Sequence, residues 1–327
     1  MNKVWIGVDG GGTKTEALLV SDEKVLAFSR GGPSNHQIVG MEASVGQIVQ
    51  VIQTALSQGS YSLGEISGMV LGLAGADFPE DYARLRQAMD PFFSHVPYRI
   101  VNDAEIALRA GSVSGYGVVA IAGTGGNVLG LSPAGEIRQV GGLGYEWGDF
   151  GSGIDLAREV LHYAFRSAER RGRKTQLESL VLSMLGMKDY ATLSRALYFH
   201  EIPAEHFWVL APLCFQAAAM GDLVAKDILR EMGVSIAESV LGCARLLNMD
   251  IQPVEVIMAG SLWLGVSSEM KDAFMDYLAV NLPQSHPHLS ELRPVAGAAF
   301  MAVKEEGIPI NSLRSAFMAD QRLTGAE

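Results

Sequence analysis

A chain of 327 residues, 48% hydrophobic and 19% charged, has the length of two domains and needs no disulfide or metal staple to hold a core. Its net charge of −11 argues against a nucleic-acid-binding surface, and no apolar run reaches the length of a membrane span. The two cysteines, Cys214 and Cys243, lie far apart inside helical patterns, so neither a disulfide framework nor a zinc pattern can be read from them. The chain opens directly on a strand pattern without a leader-like stretch, and a cytoplasmic protein is expected. The basic cluster at 166–174 reads as a solvated helix end.

The first strand runs into Asp9 and is followed by Gly10, Gly11, Gly12, Thr13, Lys14 and Thr15, before Ala17-Leu18-Leu19-Val20 resumes an apolar run. Strand, glycine turn and strand predict a hairpin. Glycine N–H groups can approach an anion closely, Asp9 can hold a hydrated magnesium ion, and Lys14 can neutralise phosphate charge. The spacing is not that of a Walker A loop, because Thr13 separates Gly12 from Lys14 and a strand follows. Further along, the pattern predicts a strand at 24–30, a helix at 41–58 and a strand at 66–73 that ends in Gly75-Ala76-Asp77. A helix at 79–89, a strand at 98–101 and a helix at 104–110 complete the first half.

The same order then repeats. A strand at 117–122 ends in Gly123-Thr124-Gly125-Gly126-Asn127, and strands at 128–132 and 136–140 continue the meander. A helical insertion covers about 152–248; a strand at 254–258 follows, ending in Ala259-Gly260-Ser261, then a helix at 269–281, a strand at 289–292 and a helix at 295–304. Two similar halves of mixed strands and helices make an α/β protein with domains at 1–115 and 116–327.

Asp103, where a strand meets a helix, can accept a hydroxyl proton in phosphoryl transfer or can cap the helix. Asp149, in the glycine-rich and aromatic stretch 141–153, can accept hydrogen bonds from sugar hydroxyls, or the stretch can be a tight crossover with Trp147 in the core. Asn35, in Ser34-Asn35-His36, offers a donor and an acceptor to a hydroxyl or acetamido group, and equally suits a turn. His36 carries no assignment. Gly123, Thr124, Gly125 and Gly126 form a second candidate phosphate hairpin, and Gly260-Ser261 is a small turn against which a nucleoside can lie.

With these stations in order, the chain resembles the N-acetylglucosamine kinase branch of the BadF/BadG/BcrA/BcrD ATPase family, within the actin–hexokinase–chaperone ATPase superfamily. The resemblance rests on Asp9-Gly10-Gly11-Gly12-Thr13-Lys14-Thr15, Ser34-Asn35-His36, Asn102-Asp103-Ala104, Gly123-Thr124-Gly125-Gly126-Asn127 and Gly148-Asp149-Phe150-Gly151-Ser152. It implies two ribonuclease-H-like domains, each a mixed sheet flanked by helices, with an active-site cleft between them. It also implies ATP and Mg²⁺ as cofactors, an amino sugar as substrate, and a homodimer. By this resemblance Asp9 orders the water shell of the magnesium ion, and Gly11, Gly12, Thr13 and Lys14 lie at the phosphates with the 123–126 hairpin. Gly260 and Ser261 lie at the nucleotide. Asp103 is the base on the sugar 6-hydroxyl, and Asn35, Gly75, Asp77 and Asp149 bind the sugar. Two positions depart from the family pattern, Gly126 replacing a serine and Phe150 an acid, and Leu143 stands where the animal enzymes have a tryptophan. The alternatives are a BadF-type ATPase activator and a non-catalytic nucleotide- or sugar-binding regulator.

Overall fold

The computed structural model describes residues 3–305 and 307–324. The apolar runs of the first half become β1 (Trp5–Gly10), β2 (Thr15–Val20), β3 (Val25–Gly31), β4 (Gly68–Leu73) and β5 (Tyr98–Asn102). They form one sheet in the order β3-β2-β1-β4-β5. β1 and β2, and β2 and β3, pair antiparallel across short turns. β4 lies parallel to both β1 and β5, which requires helical crossovers. These are α1 (His36–Val39) with α2 (Met41–Gly59), and then α3 (Pro79–Phe93); α4 (Asp103–Gly111) follows β5.

Because side chains alternate along a strand, this sheet has two apolar faces. Ile6, Val8, Ala17, Leu19, Met69 and Leu71 pack under Val45, Ile48 and Ile52 of α2 and Leu85, Met89 and Phe93 of α3. Trp5, Leu18, Val20 and Val70 face the other way and meet Ile106 and Ala110 of α4.

The second half contains β6 (Gly117–Ala122), β7 (Gly126–Leu131) and β8 (Ile137–Val140). The helical insertion resolves into α5 (Gly153–Ala168), α6 (Leu177–Leu185), α7 (Tyr190–Tyr198), α8 (Ala211–Ala219) and α9 (Leu223–Leu246). β9 (Val254–Ala259), α10 (Glu269–Asn281), β10 (Ser285–Leu289), α11 (Pro294–Lys304) and α12 (Asn311–Ala319) complete the chain. The sheet order, β10-β9-β6-β7-β8, repeats that of the first sheet strand for strand. It is the ribonuclease-H-like arrangement twice over. The last strand lies N-terminal to the expected 289–292 and contains Pro287, which a sheet edge tolerates because one row of N–H groups needs no partner. Among the described residues no single helix is long and apolar enough to cross a membrane.

The chain divides into two compact units, and the division differs from the expected one after residue 115. The first holds the described residues up to Val119, Leu131–Gly135 and those from His288 onward; the second holds Ala120–Gly130 and Glu136–Pro287. The reason lies in α11, where every residue from Val295 to Val303 is buried. Such a helix must be covered on all sides, and the first unit supplies the cover. A Cβ at Gly7 of β1 would fall 2.9 Å from the Ala298 carbonyl carbon, and one at Gly297 would strike the Ile106 carbonyl oxygen and lie 2.7 Å from Ala110 N on α4. Backbone thus rests on backbone, with α11 seated between β1 and α4.

Gly297→Ala places a methyl group against the α4 backbone, which has no side-chain freedom to yield. A loss of about 2 kcal/mol is expected, seen as a Tm several degrees lower in thermal unfolding followed by circular dichroism. An unchanged Tm would contradict this seating of α11.

Candidate active site

The turn between β1 and β2 closes with Gly11 N donating to Lys14 O at 2.9 Å. None of Gly10, Gly11 or Gly12 has a positive φ, so glycine is required here for space. A Cβ at Gly10 would lie 2.7 Å from both Ser34 Oγ and Leu73 Cδ2, and one at Gly12 would lie 3.2 Å from Ile38 Cδ1. The room is used by neighbouring loops. Gly11 O accepts hydrogen bonds from Ser34 N at 3.0 Å and Asn35 N at 3.1 Å, and Gly10 O accepts from Ala74 N at 2.8 Å. The candidate phosphate hairpin, the Asn35 loop and the Gly75–Asp77 turn are therefore one hydrogen-bonded assembly. It sits at the carboxyl ends of β1, β4 and β5, which run parallel, the usual position of a site in such sheets.

Asp9 lies across the hairpin from Glu16. Burial, then the charges of Glu16 and Asp103, push the Asp9 carboxyl up to about 8, with Lys14 and Arg293 opposing. Glu16 has no exposed surface; its Oε1 stands 3.5 Å from Lys14 Nζ, 3.5 Å from Arg30 Nε and 2.9 Å from Arg293 Nη1. Burial is the main cost of charging Asp9, a cost that a bound divalent cation would offset. Among the described residues no group of three or more His, Cys, Asp or Glu forms a cage for a metal. Magnesium ordinarily takes one or two carboxylates together with water and phosphate oxygens, and Asp9 suits that donor set. Sequence reasoning passed over Glu16, although an acid inside an otherwise apolar strand was a visible signal.

Asp103 is the first residue of α4, capped by Asn102, whose Oδ1 accepts from Ala104 N at 2.9 Å. Asn102, and not Asp103, is therefore the cap of α4. Burial and the neighbouring Asp77 push Asp103 up to about 6, against the N–H groups of Ala104 and of Asp103 itself. Asn102 Nδ2 donates to Asp77 Oδ1 at 3.1 Å and to Ala76 O at 3.2 Å, which fixes the turn. Gly75 has a φ of +82°, and a Cβ there would lie 2.9 Å from Asn35 Oδ1. That oxygen accepts from Gln37 N at 2.9 Å and caps α1. Asp9, Asn35, Gly75, Asp77 and Asp103 are all brought together in the first unit.

In the second unit the 123–126 hairpin lies against the start of α5: Gly153 N donates to Gly123 O at 2.7 Å and Ile154 N to Thr124 O at 3.3 Å. Ser152 and Asp155 form a reciprocal cap there, with Asp155 N to Ser152 Oγ at 3.0 Å and Ser152 N to Asp155 Oδ2 at 3.1 Å. A Cβ at Gly126 would lie 3.2 Å from the Gly151 carbonyl carbon, a contact that favours glycine over the serine of the family pattern. Gly260, with φ +104°, rests on the end of β6, where a Cβ would lie 2.6 Å from the Ala122 carbonyl carbon. The structure thus joins Gly260 and Ser261 to the 123–126 hairpin. Asp149 is engaged with its own loop, its Oδ2 accepting from Leu143 N at 2.8 Å and Gly144 N at 2.7 Å. Trp147 is not in a core: it is 66% exposed and Tyr145 is 64% exposed, on a short turn held by Asp149.

The sequence profile of the BadF/BadG/BcrA/BcrD ATPase family matches residues 6–302. The chain is 32% identical, over 86% of its length and 92% of the relative's, to an N-acetylmuramic acid/N-acetylglucosamine kinase of Clostridium acetobutylicum. It is 25% identical to an N-acetyl-D-glucosamine kinase of Dictyostelium discoideum, covering 93% of this chain and 99% of that one. A crystal structure from Chromobacterium violaceum, named for N-acetylglucosamine kinase activity, superposes with a TM-score of 0.70 at 26% identity, over 92% of this chain and 99% of that one.

The electrostatics of Asp9 set a test. With its carboxyl at about 8 in the fold against an ordinary 3.8, the folded state binds this proton more tightly than the unfolded one. The resulting destabilisation is absent below the lower value and complete above the higher. The Tm of the nucleotide-free protein is expected to fall between about pH 4 and pH 8, and Asp9→Asn to flatten that fall and raise the Tm at pH 9 by a few degrees. Differential scanning calorimetry of both proteins reads this; parallel pH profiles would rule it out.

Proposed function

The chain belongs to the BadF/BadG/BcrA/BcrD ATPase family, and on that premise we propose that it is an ATP-dependent amino-sugar kinase, phosphorylating the 6-hydroxyl of N-acetylglucosamine or a related amino sugar. The named activities of its relatives support this reading. The observation that carries it is the assembly around the Gly10 and Gly11 carbonyls, which ties a phosphate-type hairpin to Asn35 and the Gly75–Asp77 turn.

Asp103, pushed up to about 6, is ionised at neutral pH yet basic enough to take a proton from a sugar hydroxyl as its oxygen attacks phosphorus. Asn35 and Asp77, with Gly75 allowing close approach, orient the sugar ring. Asp149 contributes from its loop, where its pairing with Leu143 N and Gly144 N holds the glycines in shape. Gly11, Gly12, Thr13 and Lys14, with Gly123, Thr124, Gly125 and Gly126, offer N–H groups, hydroxyls and one ammonium to phosphate oxygens; Gly260 and Ser261 give a flat small-residue surface for the nucleoside. Asp9 would hold a magnesium ion through water, and that ion would supply charge neutralisation at the phosphates. A homodimer, implied by the family resemblance, and a cytoplasmic location, expected from the sequence, belong to the same reading. The iron–sulfur activators of the family need accessible thiolates, whereas Cys214 and Cys243 are buried in α8 and α9 with thiols pushed up by burial.

ADP release with MgATP, measured against N-acetylglucosamine, glucosamine, N-acetylmannosamine, N-acetylmuramic acid and glucose, is expected to rise with an amino sugar. The phosphorylated product is expected by mass spectrometry. Sugar-independent release across the panel would overturn the reading.

Asp103→Asn is expected to lower kcat at least about 100-fold with little change in ATP affinity. In the unsubstituted protein kcat/KM for the sugar should fall as pH drops through about 6, because the base is protonated there. A flat profile or an active Asn variant would remove Asp103 from this role.

A further inference from the structure

His36 follows Asn35 directly and starts α1, and neither the sequence motif nor the mechanism above uses it. The residue is 8% exposed, and the edge of its ring that bears the nitrogens is turned towards the Gly75–Asp77 turn and α3. A Cβ at Gly75 would lie 3.2 Å from His36 Cε1, and Nε2 stands 3.8 Å from Asp81 Oδ1. Asp81 is itself held, because its Oδ2 accepts from Phe78 N at 3.0 Å and caps α3. Nδ1 is buried and meets no hydrogen-bond partner among the described residues. A buried ring nitrogen in that condition calls for a physical reason, and this one lies in the assembly that carries Asn35, Gly75 and Asp77.

We infer that His36 is a specificity-determining residue of the sugar site, with Nδ1 accepting a hydrogen bond from a hydroxyl or amide N–H of the amino sugar. The inference rests on the kinase reading above. The fixed Asp81 carboxylate favours the tautomer with its proton on Nε2, which leaves the lone pair on Nδ1. An amino sugar carries hydroxyl and amide donors that match such an acceptor. A site with a buried acceptor discriminates strongly against analogues that leave it unpaired.

The test uses the amide mimicry of histidine. An asparagine amide reaches the position of Nδ1, a glutamine amide that of Nε2, and leucine fills the space without a polar atom. Steady-state kinetics of His36→Leu are expected to show a sugar KM raised roughly tenfold or more, with kcat and the ATP KM within about twofold. His36→Asn should restore the sugar KM to within roughly threefold, while His36→Gln should behave like the leucine variant. In the unsubstituted protein, histidine ¹⁵N resonances should show Nδ1 of His36 moving when sugar is added without nucleotide, a readout that holds even if the leucine variant does not fold. An unchanged sugar KM in the leucine variant overturns the inference. So does rescue by glutamine instead of asparagine, which would make loop packing through Asp81 the whole role, and so does an unmoved Nδ1 resonance. Absence of sugar-dependent ADP release from the unsubstituted protein is a separate result that removes the kinase reading beneath it.

Discussion

Two backbone carbonyls, those of Gly10 and Gly11, organise the working end of the first unit. Three N–H groups from two other loops converge on them, and the absence of a side chain at Gly10 gives those loops room to approach. The glycines of the hairpin are commonly understood through conformational freedom, yet their φ values here are ones any residue adopts. What they provide is proximity. A methyl group at Gly10 would push Ser34 and Leu73 away, separating the hairpin from the segments that bear Asn35 and Asp77. The glycine run is thus a requirement of assembly before it is one of ligand contact.

Charge follows from the same geometry. Ending three parallel strands at one edge gathers Asp9, Asp77 and Asp103 where the sheet can offer few compensating cations, and Glu16 adds a fourth acid that is itself occupied with Lys14, Arg30 and Arg293. The upward displacement of Asp9 and Asp103 comes first from burial, and the neighbouring acids add to it. Such a cluster weakens the ligand-free fold and is relieved by cationic or proton-donating ligands, a pattern common to functional sites.

Much of this was legible in the chain. Strands such as Gly117–Ala122 and helices such as Met41–Gly59 and Glu269–Asn281 follow from unbroken apolar periodicity bounded by glycine or polar residues, and the repeat of element order carries the doubled sheet. Edges were harder. The strand Ser285–Leu289 holds two histidines and a proline, so no apolar alternation marks it. The four-residue helix His36–Val39 is too short for periodicity to mark. Among the candidate site residues, Asp103 and Asn35 stood out by position after a strand or glycine turn, whereas their partners did not. That Asn102, and not Asp103, is the cap of α4, or that Asp149 is turned towards Leu143 and Gly144, depends on loop geometry that one-dimensional spacing does not encode. The unit boundary was missed for a similar reason. Repetition of elements says nothing about which sheet a final helix will cover, and the glycines at positions 7 and 297 that decide it lie almost a whole chain apart.

That last arrangement has a bearing on biosynthesis. A ribosome delivers the chain from its N-terminus, so β1, β2 and β4 emerge long before α11 and α12. Trp5, Leu18, Val20 and Val70 then form an apolar sheet face that still lacks α11. The intervening unit, Ala120–Gly130 with Glu136–Pro287, is complete in the nascent chain while the flanking one still lacks a layer. Until residues 294–304 leave the exit tunnel, the partly built sheet is the natural client of a chaperone that shields hydrophobic surface during translation.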